Sequence, residues 1–205
     1  DTLDFSATTT LGVTVNLTTA TTQVVNANLS VNLQSGTAFE AVVGGAQNDN
    51  LTGNTLNNTL TGGAGNDTLA GGAGNDVYLF DADSPLGTDT LDEGAGGIDT
   101  LDFSATTSSG IGVNLGQSTV QTINANLSLN LQSATTVENV IGTNQADLIY
   151  GDGLANQLTG GTGNDTLRGN NGDDTLLGGF GTDEVEGEGG NDSIDGGDGD
   201  DTLIG

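Results

Sequence analysis

Residues 160–204 read GGTGNDTLR, GNNGDDTLL, GGFGTDEVE, GEGGNDSID and GGDGDDTLI, five units of nine in unbroken register. Each unit is a Gly-rich loop of six residues closed by an acid, then three residues with an apolar one in the middle. Asp165, Asp174, Asp183, Asp192 and Asp201 close the loops. Leu167, Leu176, Val185, Ile194 and Leu203 hold the apolar place. A single GGxGxD arises by chance in Gly-rich chains; five in register do not.

Three residues with one inward apolar side chain make a very short strand, because side chains alternate between faces. Six residues carry the chain through half a coil, so two units make one turn, and successive turns stack at about 4.8 Å. Tight loops that approach one another's backbones call for glycine. One unit cannot bury its single Leu, so a core exists only in the stack. The pattern therefore predicts an all-β fold, a solenoid of stacked parallel strands.

Stacking also piles carboxylate on carboxylate, which is unfavourable unless a cation lies between them. Carboxylates and loop carbonyls are hard oxygen donors, and a flexible cage of about six suits Ca²⁺ better than Mg²⁺. The chain has no His and no Cys, which leaves little for zinc, copper or iron.

On these residues the sequence resembles the RTX, or haemolysin-type, calcium-binding nonapeptide repeats with consensus GGxGxDxUx. The resemblance implies a right-handed parallel β-roll with several Ca²⁺ ions between stacked Gly-rich loops. It also implies a ligand set: the closing Asp of two stacked loops, two carbonyls from alternate places of one loop and two from the other. Loop 160 against loop 178 would use Gly161, Gly163 and Asp165 with Gly178, Phe180 and Asp183. Loop 178 against loop 196 would use Gly179, Gly181 and Asp183 with Gly196, Asp198 and Asp201. The other candidate ligands are Asp49; Gly62, Ala64 and Asp67; Gly71, Ala73 and Asp76; Asp147; Gly160 and Thr162; Gly169, Asn171, Gly172 and Asp174; Gly187, Gly189 and Asp192.

Composition points the same way. Net charge is −27, from 28 acids against one base, Arg168, which argues against nucleic acid and anionic membrane surfaces as partners. Aromatics are 3% and glycines number 36, too little to bury in an ordinary globule. Such a chain without cations reads as disordered, so folding is expected to be coupled to metal. No apolar run is long enough to cross a membrane or serve as a signal peptide. The opening at Asp1, inside a motif, suggests a fragment or a processed product.

Outside the array the chain repeats itself. Residues 1–9 (DTLDFSATT) recur at 99–107, and NANLSVNLQS at 26–35 recurs as NANLSLNLQS at 124–133. This divides the chain into a segment 1–43, a first array 44–79, a connector 80–98, a second segment 99–141 and a second array 142–205. The two segments alternate apolar and polar residues as half-buried strands do. They are either solenoid coils with longer, metal-free turns or a small separate β-sandwich. Phe5 and Phe103 are expected to plug the core, and Glu40 and Glu138 to face solvent.

The opening units of both arrays place Gln47, Leu56, Gln145 and Leu154 where Gly is expected, and Asn58 and Asn156 in the closing place. Full metal sites are therefore expected from Asp67 and Asp165 onward. In the connector, TDTLD at 88–92 and IDTLD at 98–102 read as degenerate half-units, and Asp81, Asp83, Asp89 and Asp99 are candidates to cap the first array.

The expected function is a secreted or cell-surface calcium-binding structural module of a bacterial surface, adhesin or matrix protein. The resemblance adds export by a type I machine and folding on external Ca²⁺. Exposed strand edges at uncapped ends would invite end-to-end stacking into filaments. The rival is a non-catalytic appendage of a secreted enzyme or toxin; without His, Cys or a GxSxG elbow, no catalysis is expected here.

Overall fold

The structure is a computed structural model that describes residues 1–93, 96–133 and 137–205. The parts of the 80–98 connector and the 99–141 segment at residues 94–95 and 134–136 lie outside the described residues.

Each nonapeptide supplies one strand of about three residues, centred on its apolar residue. In Thr166–Arg168 the central Leu167 is fully buried and both neighbours are half-buried. A β-branched Thr before the apolar residue recurs at Thr59, Thr68, Thr166 and Thr175, and its stiff χ1 suits a pleated surface.

One face of the molecule is a continuous sheet of nine strands. In spatial order they are Thr2–Asp4, Ala41–Val43, Thr59–Thr61, Val77–Leu79, Thr100–Asp102, Asn139–Ile141, Gln157–Thr162, Thr175–Phe180 and Ser193–Asp198. Every neighbouring pair is parallel. Within the arrays the register is one whole turn, so Leu158 sits on Leu176 and Leu176 on Ile194. The opposite face consists of two sheets. One contains Thr14–Asn16, Asn50–Thr52, Thr68–Ala70, Gly87–Leu91 and Leu127–Asn130; the other runs from Gly112–Asn114 through Leu148–Tyr150, Thr166–Arg168 and Glu184–Glu186 to Thr202–Ile204. This is the parallel β-roll that the repeat period dictates.

The core is two facing columns of single side chains. Val42, Leu60, Tyr78, Leu101, Val140, Leu158 and Leu176 form one; Val15, Leu51, Leu69 and Leu91, then Val113, Ile149, Leu167 and Val185, form the other. Segments 1–43 and 99–141 contribute strands to the same sheets. Phe103 is fully buried and stacks on Phe80, ring centroids 5.3 Å apart. Phe5, 98 residues earlier, is also buried.

Two antiparallel hairpins interrupt the parallel pattern: Thr22–Asn26 with Leu29–Asn32, and Gln121–Thr122 with Leu127–Asn130. Their sequences are nearly the same but their burial is not. Leu29 is 39% exposed, whereas its equivalent Leu127 is 2% exposed. The second hairpin lies parallel on Gly87–Leu91 and closes the end of that sheet. The first forms a two-stranded sheet of its own.

Glu138 departs from the expectation of a solvent-facing acid. It is half-buried, and its Oε2 accepts the Asp99 N–H at 2.8 Å. Arg168 lies against its own array, 3.1 Å from Glu186 and 3.7 Å from Glu184, with its guanidinium over the Tyr150 ring.

Candidate metal centre

The closing acids form a ladder. Asp67 Oδ1 accepts the backbone N–H of Asp49, Asp165 Oδ1 that of Asp147, and Asp183 Oδ1 that of Asp165, each at 2.8 Å. Asp76, Asp174, Asp192 and Asp201 bind Asn58, Asn156, Asp174 and Asp183 in the same way. One oxygen of each acid thus fastens its own rung to the rung before. At the start of each series, Asp49 and Asp147 reach Val13 and Ile111.

The second oxygen divides the units into two kinds. In the opening units the second oxygen of Asp49 and Asp147, or the one amide oxygen of Asn58 and Asn156, is satisfied inside its own loop. Gly45 N–H donates to Asp49 Oδ2, Thr143 N–H to Asp147 Oδ2, Asn54 N–H to Asn58 Oδ1 and Asp152 N–H to Asn156 Oδ1. In the later units the second place takes a left-handed conformation: Gly63, Gly72, Gly161, Asn170, Gly179, Glu188 and Gly197 all have positive φ. There Oδ2 of Asp67, Asp76, Asp165, Asp174 and Asp183 is buried with no partner at all. A buried carboxylate oxygen without a donor is costly, and the same orphan recurs in five loops, two of the first array and three of the second, as the donor chemistry of a cation site would have it. The change from closed to orphaned loops falls at Asp67 and at Asp165.

Glycine in the first place keeps a Cβ out of the space before the closing side chain, in the opening units as in the later ones. A Cβ on Gly160 would stand 2.3 Å from Asp165 Oδ2 and 2.6 Å from the Gly178 carbonyl oxygen. On Gly178 it would stand 2.5 Å from both Asp183 Oδ2 and the Gly196 carbonyl oxygen. The same cradle, with a carboxylate and the first-place carbonyl of the next rung, occurs at Gly169 with Asp174 and Gly187. The fourth place needs glycine for a different reason: Gly181 has φ +149°, and a Cβ there would come within 1.5 Å of the Gly163 carbonyl oxygen. Gln47, Leu56, Gln145 and Leu154 sit outside that conformation.

The predicted third-place carbonyls have partners already. Phe180, Gly189 and Asp198 accept the N–H of Gly163, Gly172 and Gly181 from the rung before, at 2.8–2.9 Å. A carbonyl has a second lone pair, so this leaves them able to ligate. Ala64, Ala73, Thr162 and Asn171 donate their N–H to second-place carbonyls of the preceding rung. Gly62 and Gly71, like Gly160, are first-place glycines, and a Cβ there would stand 2.3 Å and 2.1 Å from Oδ2 of Asp67 and Asp76. Gly161 carries its carbonyl to within 2.1 Å of where a Gly179 Cβ would lie.

In the connector, Asp89 and Asp99 take the closing role against the first array, binding the N–H of Asp67 and Asp76. Asp89 also keeps an orphaned Oδ2. Asp83 does something else: its oxygens cap Thr107 and Ser108 at 2.6–2.8 Å. Asp81 is exposed.

Two features escaped the sequence reading. A second ladder of opposite direction runs through the fifth place, where Asn48, Asn57, Asn164 and Asp173 accept the N–H of Asn66, Asn75, Thr182 and Asn191 in the next rung. The recurrence of Asx there was its visible signal. The other is the left-handed second place at Asn170 (φ 71°) and Glu188 (φ 66°). Asn tolerates that region and Glu does not. Glu188→Asn is expected to stabilise the calcium-loaded fold by about 0.5–1 kcal/mol in thermal melts.

Burial governs the electrostatics. It pushes Asp67 and Asp165 up to about 6, and neighbouring acids (Asp49; Asp147 and Asp183) add to the shift. Burial likewise raises Asp89 to about 7, with the Asp67 charge contributing. The metal-free fold therefore holds protons that the unfolded chain releases. Its stability is greatest below about pH 4 and is lost as pH rises through 6 to 7. Calcium competes for the same oxygens. At limiting calcium, the midpoint concentration for folding is expected to rise several-fold as pH falls from about 8 to 5. A midpoint independent of pH would contradict carboxylate ligation.

The model of the RTX calcium-binding nonapeptide repeat matches residues 42–79, 150–185 and 177–205. The matched residues are RTX calcium-binding nonapeptide repeats: structural units that hold calcium ions, several in a chain with this many repeats. RTX repeats are typical of secreted bacterial proteins. A comparison with curated proteins gave no match. Among the described residues no helix is long and apolar enough to cross a membrane.

Proposed function

We propose that this chain is a secreted structural module of a bacterial surface, adhesin or matrix protein, exported unfolded and folded by external calcium. The observation that carries the reading is the row of buried closing carboxylates with one oxygen unpartnered, at Asp67, Asp76, Asp165, Asp174 and Asp183. In this reading each ion lies between stacked loops and takes carboxylate oxygens from the closing acids and carbonyls from the first to fourth places. The set comprises the acids from Asp67 and Asp165 onward, Asp192 and Asp201 included. Asp49 and Asp147, whose second oxygens are occupied by backbone N–H groups, take part at most through the rung that follows.

Extracellular calcium modules have dissociation constants of about 10⁻⁴–10⁻³ M, which keeps such a chain unfolded in the cytosol and folds it outside. Limited proteolysis across that concentration range tests this. Rapid digestion is expected at submicromolar calcium and protection near millimolar; protection at submicromolar calcium would refute folding on export.

Stacking into filaments is a second reading, supported by Thr202–Ile204. That strand pairs on one side only, and Leu203 and Ile204 are 50% and 47% exposed. A further rung, from more chain or from another copy, fits this edge. Electron microscopy with and without chelator tests it: calcium-dependent rods of growing length are expected, and short monodisperse particles in both conditions would exclude it. The alternative role, an appendage of a secreted enzyme or toxin, places the same module beside a catalytic domain.

A further inference from the structure

Gly71 sits where the first array loses its register. Elsewhere a first-place N–H donates to a backbone carbonyl of the next rung: Gly53 to Ala70, Gly151 to Arg168, Gly169 to Glu186. At Gly71 that carbonyl is replaced by side chains, Glu93 Oε1 at 3.0 Å and the Tyr78 hydroxyl at 2.7 Å. One neutral acceptor would satisfy this N–H. Glu93 does more, because it carries a negative charge into a place already lined with acids.

Glu93 is only 6% exposed, and its Oε2 has no partner. Asp76 Oδ2, also buried, has none either. Ligand oxygens of Asp76, Glu93 and Asp99 all lie within 4.8 Å of one another. Glu138 adds a fourth carboxylate at the edge, accepting the Asp99 N–H. The single base, Arg168, is engaged with Glu184 and Glu186 in the second array. Three buried carboxylates this close are not stable together without a proton or a cation between them.

We propose that Asp76, Glu93 and Asp99 form a separate divalent-cation site at the junction between the first array and the second long repeat, with a ligand from outside the nonapeptide motif. The all-oxygen donor set selects a hard cation, calcium among those at hand. Affinity in such sites rises with the number of charged ligands. Three carboxylates against two between ordinary loops make this the tightest site of the chain and the first to fill. Its work is mechanical. The ion fastens the connector to the last unit of the first array, so that Thr100–Asp102 lands in register on Val77–Leu79 and the nine-stranded sheet continues.

The site rests on the calcium reading of the repeat loops and shares the closing acids Asp76 and Asp99 with them; Glu93 is what it adds, so a change confined to Glu93 separates the two. Tyr78 shares the Gly71 N–H with Glu93 and therefore lies against the site, which makes terbium a suitable probe. Terbium titration of the full chain, with luminescence excited through tyrosine, is expected to show sensitised emission in the first step to saturate. Tyr78→Phe should remove that emission while calorimetry still records the step. Glu93→Gln should weaken the tightest calcium step by about ten- to a hundredfold and leave the later steps in place. An unchanged tightest step in E93Q would overturn the site and reduce Glu93 to a cap on Gly71 that shares a proton with Asp99. If E93Q does not fold, the comparison of wild type with Y78F still decides, since a first step without tyrosine sensitisation overturns the site. Absence of every calcium step in the wild type would sink the repeat-loop reading as well.

Discussion

In chelator at neutral pH the chain is expected to lose most of its β circular dichroism, and to regain it in millimolar calcium, with magnesium a poor substitute. Five closing acids of the arrays and Asp89 keep a buried oxygen without a donor, and the chain carries 28 acids against one base. Each independent site at a hundredfold excess of ion over its dissociation constant adds about 2.7 kcal/mol. Four such sites add about 11 kcal/mol, as much as the whole stability of a typical domain, about 5–15 kcal/mol. For a chain of this size the shift in Tm would be about 20–40 °C. Magnesium is disfavoured because it demands a tight octahedron and sheds its water reluctantly. Equal spectra and equal melting in chelator and in calcium would defeat the idea that cations hold the rungs together.

Substitution of Asp183 is expected to give opposite signs in the two states. Its Oδ1 holds the Asp165 N–H, and its Oδ2 is an orphan beside Gly178 and the Gly196 carbonyl. Asp183 also stands between two loop pairs, so in the proposed ligand set it serves two ions. Asp183→Asn keeps the hydrogen bond and removes the charge. The calcium-loaded fold should lose about 3–5 kcal/mol, while the metal-free fold should gain slightly because like-charge repulsion falls. Asp183→Ala should cost more in calcium, since the Asp165 N–H is then also left unsatisfied, about 1–3 kcal/mol in addition. Asn58→Ala should cost less than either Asp183 variant, about 1–2 kcal/mol, because Asn58 closes its loop with a hydrogen bond from Asn54 and needs no ion. Thermal melts in millimolar calcium measure the three losses, and the residual β signal in chelator measures the gain; an Asp183→Asn change of the same sign in both states would show that the residue only packs.

The repeat units were legible because periodicity alone dictates a stack. A nine-residue unit with one apolar residue has no other way to bury it, and the closing acid in register implies a charge ladder whatever the details. The departures in the opening units were legible too, since Leu56 and Leu154 cannot occupy the left-handed fourth place that Gly74 and Gly172 take at φ 116° and 133°. Which donor would then satisfy the closing side chain was not. That depends on a rotation of the second-place peptide, through which Thr143 and Asp152 present an N–H and Gly161 and Asn170 do not.

Sequence by itself settled the parallel roll, the glycine-lined loops, the columns of single Leu and Val side chains and the ladder of closing acids, because each follows from what one unit can and cannot satisfy alone. Tertiary structure decided the rest. Leu29 and Leu127 stand in nearly identical decapeptides, yet only Leu127 is covered, because the connector presents Gly87–Leu91 for its hairpin to lie on. Glu93 belongs to no repeat, and it meets Asp76 and Asp99 only because the connector must bring the chain back into register. Burial and charge proximity across a broken rung are properties of the stack, and no local pattern in the chain encodes them.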